Sequence, residues 1–336
     1  MKAILCDAPF ALSVIERARP QPGPGEVLLK IARVGLCGTD YHIYSGTQPY
    51  LSYPRVMGHE ISGTVAATGE DSAFGIGQLV TVNPYLACGE CRACRRGKPN
   101  CCSDISVLGV HQDGAMSEYV LVPERALIDA TGLSPDHAAM VEFLAIGAHA
   151  VSRAAVRRDD RVLVVGAGPI GVAVALFAKL DGADVTLIDT RQARLDHARE
   201  KVGIAHTLLV SDQLKADLAA ATDREFFDCV FDATGNIQAM SAGLAYVAHG
   251  GTYVLVSVVK DDLIFPDPEF HKRETALLSS RNATAGDFDR VIAAICSGKL
   301  PMRALHTHSV AMNDLPRDLP NLIDQADSVL KAIVVM

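Results

Sequence analysis

Val162-Leu163-Val164-Val165-Gly166-Ala167-Gly168-Pro169-Ile170-Gly171-Val172-Ala173-Val174-Ala175-Leu176-Phe177-Ala178 is a run of seventeen residues without a charge. Its length approaches that of a membrane span, but three glycines and a proline sit in its middle. A buried strand, a tight turn and a buried helix account for it better. Gly166-Ala167-Gly168-Pro169-Ile170-Gly171 fits G-x-G-x-x-G. Such glycines let backbone approach a pyrophosphate, and the helix that follows offers free N–H groups and a positive dipole end. Gly-rich turns are common, so context decides. Here a strand is predicted over 161–165, a helix over 169–180 and a second strand over 185–188, ending at Asp189, which is the context a dinucleotide turn needs. Asp189 can accept hydrogen bonds from both adenosine ribose hydroxyls and would repel a 2′-phosphate, which favours NAD over NADP. Arg191 and Arg194 follow closely. They read either as solvated helix charges or as cations that soften that preference, and Arg194 is kept as a cofactor contact beside Gly166, Gly168, Pro169, Ile170, Gly171 and Asp189.

Outward from this turn the texture stays alternating. An amphipathic helix is predicted over 191–202, and strands over 227–231 and 252–258 with helices between, which is the doubly wound parallel-sheet pattern. The first third reads instead as β-rich, with strands over 27–31 and 61–65 and a Pro/Gly loop over 20–25. A helix over 287–297 and a strand over 332–335 return to it. The expected organisation is a catalytic domain formed by 1–146 and 286–336, with a metal lobe at about 85–103, interrupted by a nucleotide domain over 147–285.

The chain has 336 residues, enough for two cores. Apolar residues are 49% and charged residues 21%, a globular composition, and the net charge of -8 argues against nucleic acid as a partner. No secretory hydrophobic region follows Met1, so the protein reads as cytoplasmic and free of the membrane. Nine cysteines are many for that compartment and point to metal rather than disulfides.

Cys88, Cys91, Cys94 and Cys102 are spaced x2, x2 and x7. Four thiolates in one loop suit a closed, structural Zn²⁺ site. Unliganded core cysteines are the alternative, and the neighbouring Arg92, Arg95, Arg96 and Lys98 make a polar loop more plausible than a core. Cys101 falls outside the spacing. A second set is scattered: Cys37 in Gly-Leu-Cys-Gly-Thr-Asp at 35–40, then His59 and Glu60, then Glu142. A catalytic zinc needs three protein ligands and an open position. Glu142 stands in an otherwise apolar run over 138–146, where a carboxylate needs a cation or donors. A hydrogen-bonded core histidine and a Glu–Arg pair are the plainer readings of His59 and Glu142.

Taken in order, Gly-x-Cys-Gly-Thr-Asp-x-His at 35–42, Gly-His-Glu at 58–60, the four cysteines and the Gly-rich turn resemble the zinc-containing medium-chain alcohol dehydrogenases, in particular the sorbitol and threonine dehydrogenase branch. The segments at 53–60, 105–114, 267–272 and 281–284 are similar to the bacterial L-galactonate oxidoreductase group. The resemblance implies an α/β protein, with a GroES-like β-rich catalytic domain around a Rossmann domain and the active site in the cleft. It implies two zinc ions per chain: one catalytic, with Cys37, His59, Glu60 and Glu142 as its ligand set, and one structural in the cysteine lobe. It also implies NAD as cofactor and a homodimer or homotetramer. Phe143 departs from the proline common after the glutamate in this branch.

The expected reaction is oxidation of a secondary hydroxyl of a sugar acid by hydride transfer, with a polyol as the alternative substrate. Thr39 would accept the substrate proton and His42 pass it to solvent, since an imidazole titrates in the useful range. A sugar-acid carboxylate would need donors, and His111, Gln112, His271, Lys272, Arg281 and Asn282 are the candidates, although surface solvation explains any one of them equally well. A zinc-free quinone-reductase-like enzyme and a zinc-stabilised binding scaffold are the competing readings. The two metal motifs weigh against the first, and the acidic balance and intact nucleotide turn against the second.

Overall fold

The computed structural model describes residues 1–336, which form two units. The first comprises Met1–Phe143, Ala283–Gly298 and Leu305–Met336; the second comprises Leu144–Asn282 and Lys299–Ala304. The short return of Lys299–Ala304 to the second unit had no signal in the sequence reading. It is fixed there by His197, whose Nε2 lies 2.8 Å from the Ala304 carbonyl oxygen.

In the first unit the central strand Glu26–Gly35 carries three partners. Glu60–Thr68 runs antiparallel along one edge, and Tyr119–Pro123 and Lys331–Val335 share the other. The sheet continues through Leu79–Val82 to Leu127–Asp129 on one side and to His306–Ala311 on the other. Its inward residues, among them Val27, Leu29, Val34, Ile61, Val80 and Val334, form one core. The pairing of Gly35 with Glu60, and of Ile333 with Gly35, draws three distant segments to one end of this sheet.

The second unit is a six-stranded, wholly parallel sheet. Its spatial order is His206–Leu209, Asp184–Asp189, Arg161–Val165, Phe227–Asp232, Val247–Leu255, Ala276–Ser279. The order reverses beside Arg161–Val165, which creates a switch point at the carboxyl end of that strand. Val162 to Val165 are all buried, as both faces of a parallel sheet require. Helix Pro169–Leu180 opens with proline at its first turn and buries Gly171 through Ala178 without interruption, so its hydrophobicity all round is that of an internal helix. No helix is long and apolar enough to cross a membrane.

Three elements differ from expectation. The helix predicted over 191–202 is Gln192–His197 followed by a wider π turn, Ala198–Val202, closed by left-handed Gly203. The strand predicted over 252–258 is Val247–Leu255, which begins before the Gly250-Gly251 pair. The helix predicted from Asp287 begins at Ala285, because Asp287 accepts from the Thr284 N–H at 2.8 Å and so caps it.

Candidate metal centres and dinucleotide turn

Cys37 immediately precedes helix Gly38–Tyr44, and Asp40 in its first turn fixes the cysteine. Cys37 N–H donates to Asp40 Oδ2 at 2.9 Å, and Gly58 N–H donates to Oδ1 of the same carboxylate at 3.2 Å. One fully buried side chain, its pKa pushed up by that burial, thus ties the Cys37 turn to the segment carrying His59 and Glu60. Ligand atoms of Cys37, His59 and Glu60 all lie within 4.8 Å of one another. Glu142, at the start of helix Val141–Ala154, is not a member of that triangle, but its charge acts on His59.

The two glutamates are held differently. Glu60 receives Lys331 Nζ on both oxygens, at 2.6 and 2.8 Å. Lys331 also donates to the Leu36 carbonyl at 3.0 Å, and its ammonium lies 4.4 Å from the centre of the Phe143 ring. Gly35 makes room for this arrangement, since a Cβ there would come within 2.0 Å of Glu60 Oε2. Burial works against the charge on Lys331, but Glu60 and Cys37 outweigh it and raise its pKa. Glu142 Oε1 accepts from the Tyr85 hydroxyl, and Oε2 has no partner. Burial pushes the Glu142 carboxyl up to about 7, with the charge of His59 opposing and that of Glu60 adding. His59 is also buried, which would lower its pKa; Cys37 and Asp40 outweigh burial and hold it well above the ordinary value. Its Nδ1 has no hydrogen-bond partner.

A sulfur, an imidazole and a carboxylate therefore converge, and two buried atoms, His59 Nδ1 and Glu142 Oε2, have no hydrogen-bond partner. Atoms of this kind are costly unless something takes them. The donor set fits a zinc ion with three protein ligands and one open position.

The second cluster lies in the cysteine loop. Ligand atoms of Cys88, Cys91, Cys94 and Cys102 all lie within 4.8 Å of one another, with Sγ–Sγ distances of 3.5 Å for Cys91–Cys94 and 3.4 Å for Cys88–Cys102. Backbone N–H groups of Cys88 and Asp104 point at Cys102 Sγ, each at 3.3 Å. Amide donors from Cys94 and Ser103 draw the Cys91 thiol down to about 5, whereas burial and then the Cys91 sulfur push Cys94 up to about 12. Four sulfurs so close cannot all ionise without a cation among them, and four soft ligands fit zinc with no open position. Cys101 is exposed and stands outside the set.

In the second unit Gly166 adopts φ 103, and a Cβ on Gly171 would come within 1.7 Å of the Gly166 carbonyl oxygen. The turn is fixed from below by Asp189, whose Oδ2 accepts from Ala167 N–H at 2.7 Å and whose Oδ1 accepts from Arg191 N–H at 2.8 Å. Arg194 reaches the same turn, its Nη1 3.8 Å from where a Cβ on Gly168 would stand.

The remaining candidates are spread more widely. Thr39 and His42 lie on helix Gly38–Tyr44, and His42 Nδ1 is 2.8 Å from Thr47 Oγ1 at the exposed side. His111 sits in a loop that hydrogen-bonds along the His59 segment, through Gly114 N–H to Val56 O at 2.7 Å and Ala115 N–H to Gly58 O at 2.9 Å. Its Nδ1 accepts from Val107 N–H, and Gln112 is occupied by Ser106 Oγ at 2.8 Å. His271 and Lys272 end the exposed helix Asp267–Lys272, where Lys272 pairs with Glu269 at 2.7 Å. Arg281 and Asn282 follow strand Ala276–Ser279 in the second unit, Asn282 with φ 55. Tyr85, Lys331 and Asp40 were not among the sequence candidates. Asp40 was legible as a capping acid three residues after Cys37, and Lys331 as the lone charge opening an apolar strand; nothing in the sequence marks Tyr85.

Residues 23–132 match the alcohol dehydrogenase GroES-like domain, and residues 169–297 match the zinc-binding dehydrogenase domain. The chain is 45% identical over 309 residues to the L-galactonate-5-dehydrogenase of Escherichia coli K12, covering 92% of this chain and 91% of that protein. It is 31% identical to the 2-dehydro-3-deoxy-L-galactonate 5-dehydrogenase of Pseudoalteromonas atlantica, covering 96% of this chain and 95% of that one. Among solved structures, the short chain alcohol dehydrogenase RspB of Escherichia coli CFT073, complexed with NADH, superposes with a TM-score of 0.93 at 31% identity, covering 100% of this chain and 99% of that one. The chain belongs to the zinc-type medium-chain alcohol dehydrogenase family, with a GroES-like domain and a Rossmann-like parallel sheet. It is an oxidoreductase of the alcohol dehydrogenase type.

Proposed function

We propose that this enzyme oxidises a secondary hydroxyl of a sugar acid to a ketone, with NAD as acceptor and two zinc ions per chain. The observation that carries the chemistry is the convergence of Cys37, His59 and Glu60 within 4.8 Å beside two unsatisfied buried atoms. The substrate class rests on the 45% identity to an L-galactonate-5-dehydrogenase. Zinc would polarise the substrate hydroxyl, and the dinucleotide would take the hydride. Cys37 and His59, with a carboxylate from Glu60 or Glu142, hold the catalytic ion, and the four lobe cysteines hold the other.

Thr39, two residues from Cys37, takes the hydroxyl proton, and exposed His42 releases it to solvent. Among the carboxylate-binding candidates His111 is best supported, because its loop lies against the His59 segment and its Nδ1 accepts from Val107 N–H, so that Nε2 carries the ring proton. Asp189 would select NAD by accepting from the adenosine ribose hydroxyls, with Arg194 at the turn. The protein is taken as cytoplasmic and as a homodimer or homotetramer.

The test is a panel of aldonates, polyols and simple secondary alcohols, run with NAD and with NADP. The highest kcat/KM is expected for an aldonate with NAD. Equal activity on uncharged polyols would refute the sugar-acid assignment, and a preference for NADP would refute the role of Asp189. Cys37→Ser and His59→Ala should each abolish turnover while NADH binding persists.

A further inference from the structure

Tyr85 lies outside every motif that carries the zinc chemistry, yet its hydroxyl donates to Glu142 Oε1. Both side chains are buried, with 9% and 1% of their surfaces exposed. The phenol is fixed from its own backbone. Tyr85–Leu86 pairs with Ser106–Val107 in a two-stranded ribbon at the foot of the four-cysteine lobe, and Tyr85 N–H donates to Asn83 Oδ1 at 3.1 Å. A donor held so firmly can set the orientation of the carboxylate it touches.

Two carboxylates compete to complete the ligand set, and their partners distinguish them. Glu60 is grouped with Cys37 and His59 within 4.8 Å, but both its oxygens belong to Lys331. Drawing it away would leave a buried ammonium with the Leu36 carbonyl and an aromatic face, and breaking a buried pair in this way is strongly unfavourable. Glu142 surrenders no bond when its bare Oε2 goes to a cation. We propose that Tyr85 is a positioning residue: its hydroxyl fixes the Glu142 carboxylate so that Oε2 is presented as the carboxylate ligand beside Cys37 and His59. This rests on the reading of Cys37 and His59 as ligands of the catalytic zinc.

The experiment is Tyr85→Phe in the full-length protein, compared with the parent after loading with zinc and with cobalt(II). Loss of an outer partner of a metal ligand typically costs 10- to 100-fold in metal affinity, so a fall of about that size is expected at the catalytic site by chelator competition. The lobe ion is retained, the visible bands of catalytic-site cobalt shift, and kcat falls more than KM rises. A phenol that merely fills space would not move the cobalt bands. In a Glu142→Gln background Tyr85→Phe should add less than about twofold, because the interaction it removes is already altered. Parent-like affinity and bands in Tyr85→Phe, or an undiminished further loss in the Glu142→Gln background, overturn the proposal. If circular dichroism shows that Tyr85→Phe does not fold, 3-fluorotyrosine at position 85 replaces it: shifted bands support the proposal and unshifted bands overturn it. Cys37→Ser is the separate control. If it does not cost one ion per chain, the metal-centre reading itself fails, whatever Tyr85 does.

Discussion

Lys331 shows what a single residue contributes to this site. An ammonium with 1% exposure is tolerable only with full compensation, which Glu60, the Leu36 carbonyl and the Phe143 ring supply together. Phe143, the residue that departs from the proline common in the branch, is thus the face on which this ammonium rests. Lys331→Met would leave the Glu60 carboxylate buried and unpaired. Removing one partner of a buried pair costs about 3–5 kcal/mol, so a large fall in the denaturant midpoint is expected for the variant. Adding Glu60→Gln should recover part of it, because no charge then remains stranded. An unchanged midpoint in Lys331→Met alone would show that the pair contributes little. The sequence offered Cys37, His59 and Glu142 through spacing and an anomalous charge, but a lysine opening a strand at the far end of the chain gains its meaning only when Ile333 pairs with Gly35.

Among the elements, those with a strong period were readable and those two residues long were not. Arg161–Val165 and Pro169–Leu180 stand out because continuous burial demands continuous apolar sequence. The ribbon of Tyr85–Leu86 with Ser106–Val107 has no period to detect, and with it the partner of Glu142 stayed hidden. Strand Val247–Leu255 runs through two glycines by bulging: Phe227 pairs with Val247 and Cys229 with Thr252, so Gly250 and Gly251 fall in the extra stretch, a tertiary accommodation that local propensity does not report. The strand–turn–helix at 161–180 also supports a sharp prediction. Gly171→Ala would drive a Cβ to 1.7 Å from the backbone oxygen of Gly166, which no rotamer change can relieve. Overpacking of this kind costs about 3 kcal/mol or more. NADH affinity, read by fluorescence titration, should fall with stability, and an alanine variant that binds NADH normally would contradict the close approach. Elsewhere, helix Pro135–Ala139 and strand His306–Ala311 meet at Asp136, which accepts from Arg33 at 2.6 Å and faces His306 at 3.9 Å. Burial lowers the His137 pKa, Asp136 opposes that, and His306 adds to it. The unfolded chain then binds the proton first as pH falls below about 6.5, so native stability is lost in that direction. Melting temperature should decline on acidification from that point, and His137→Gln should flatten the decline; an equal slope in both proteins would discount His137.

At the scale of the whole chain, both metal clusters belong to the first unit and the Gly-rich turn to the second. The net charge of -8 coexists with a locally basic cysteine loop, in which Arg92, Arg95, Arg96 and Lys98 are interleaved with the four clustered cysteines. This division predicts how the molecule responds to losing its ions. Four sulfurs crowded within 4.8 Å and two orphaned atoms at the other centre all lie within one unit, so stripping metal should loosen that unit and abolish turnover. The second unit keeps its own parallel sheet, and its turn is held by Asp189 through hydrogen bonds that involve no metal. After exhaustive chelation, elemental analysis should show a loss of two zinc ions per chain. NADH should still bind with an affinity within about tenfold of the parent, a change of no more than about 1.4 kcal/mol. Re-addition of zinc should restore activity before any change in NADH affinity is seen. Loss of NADH binding in step with loss of metal would mean that the turn depends on the first unit for its shape, and the separation of roles argued from the two units would not stand.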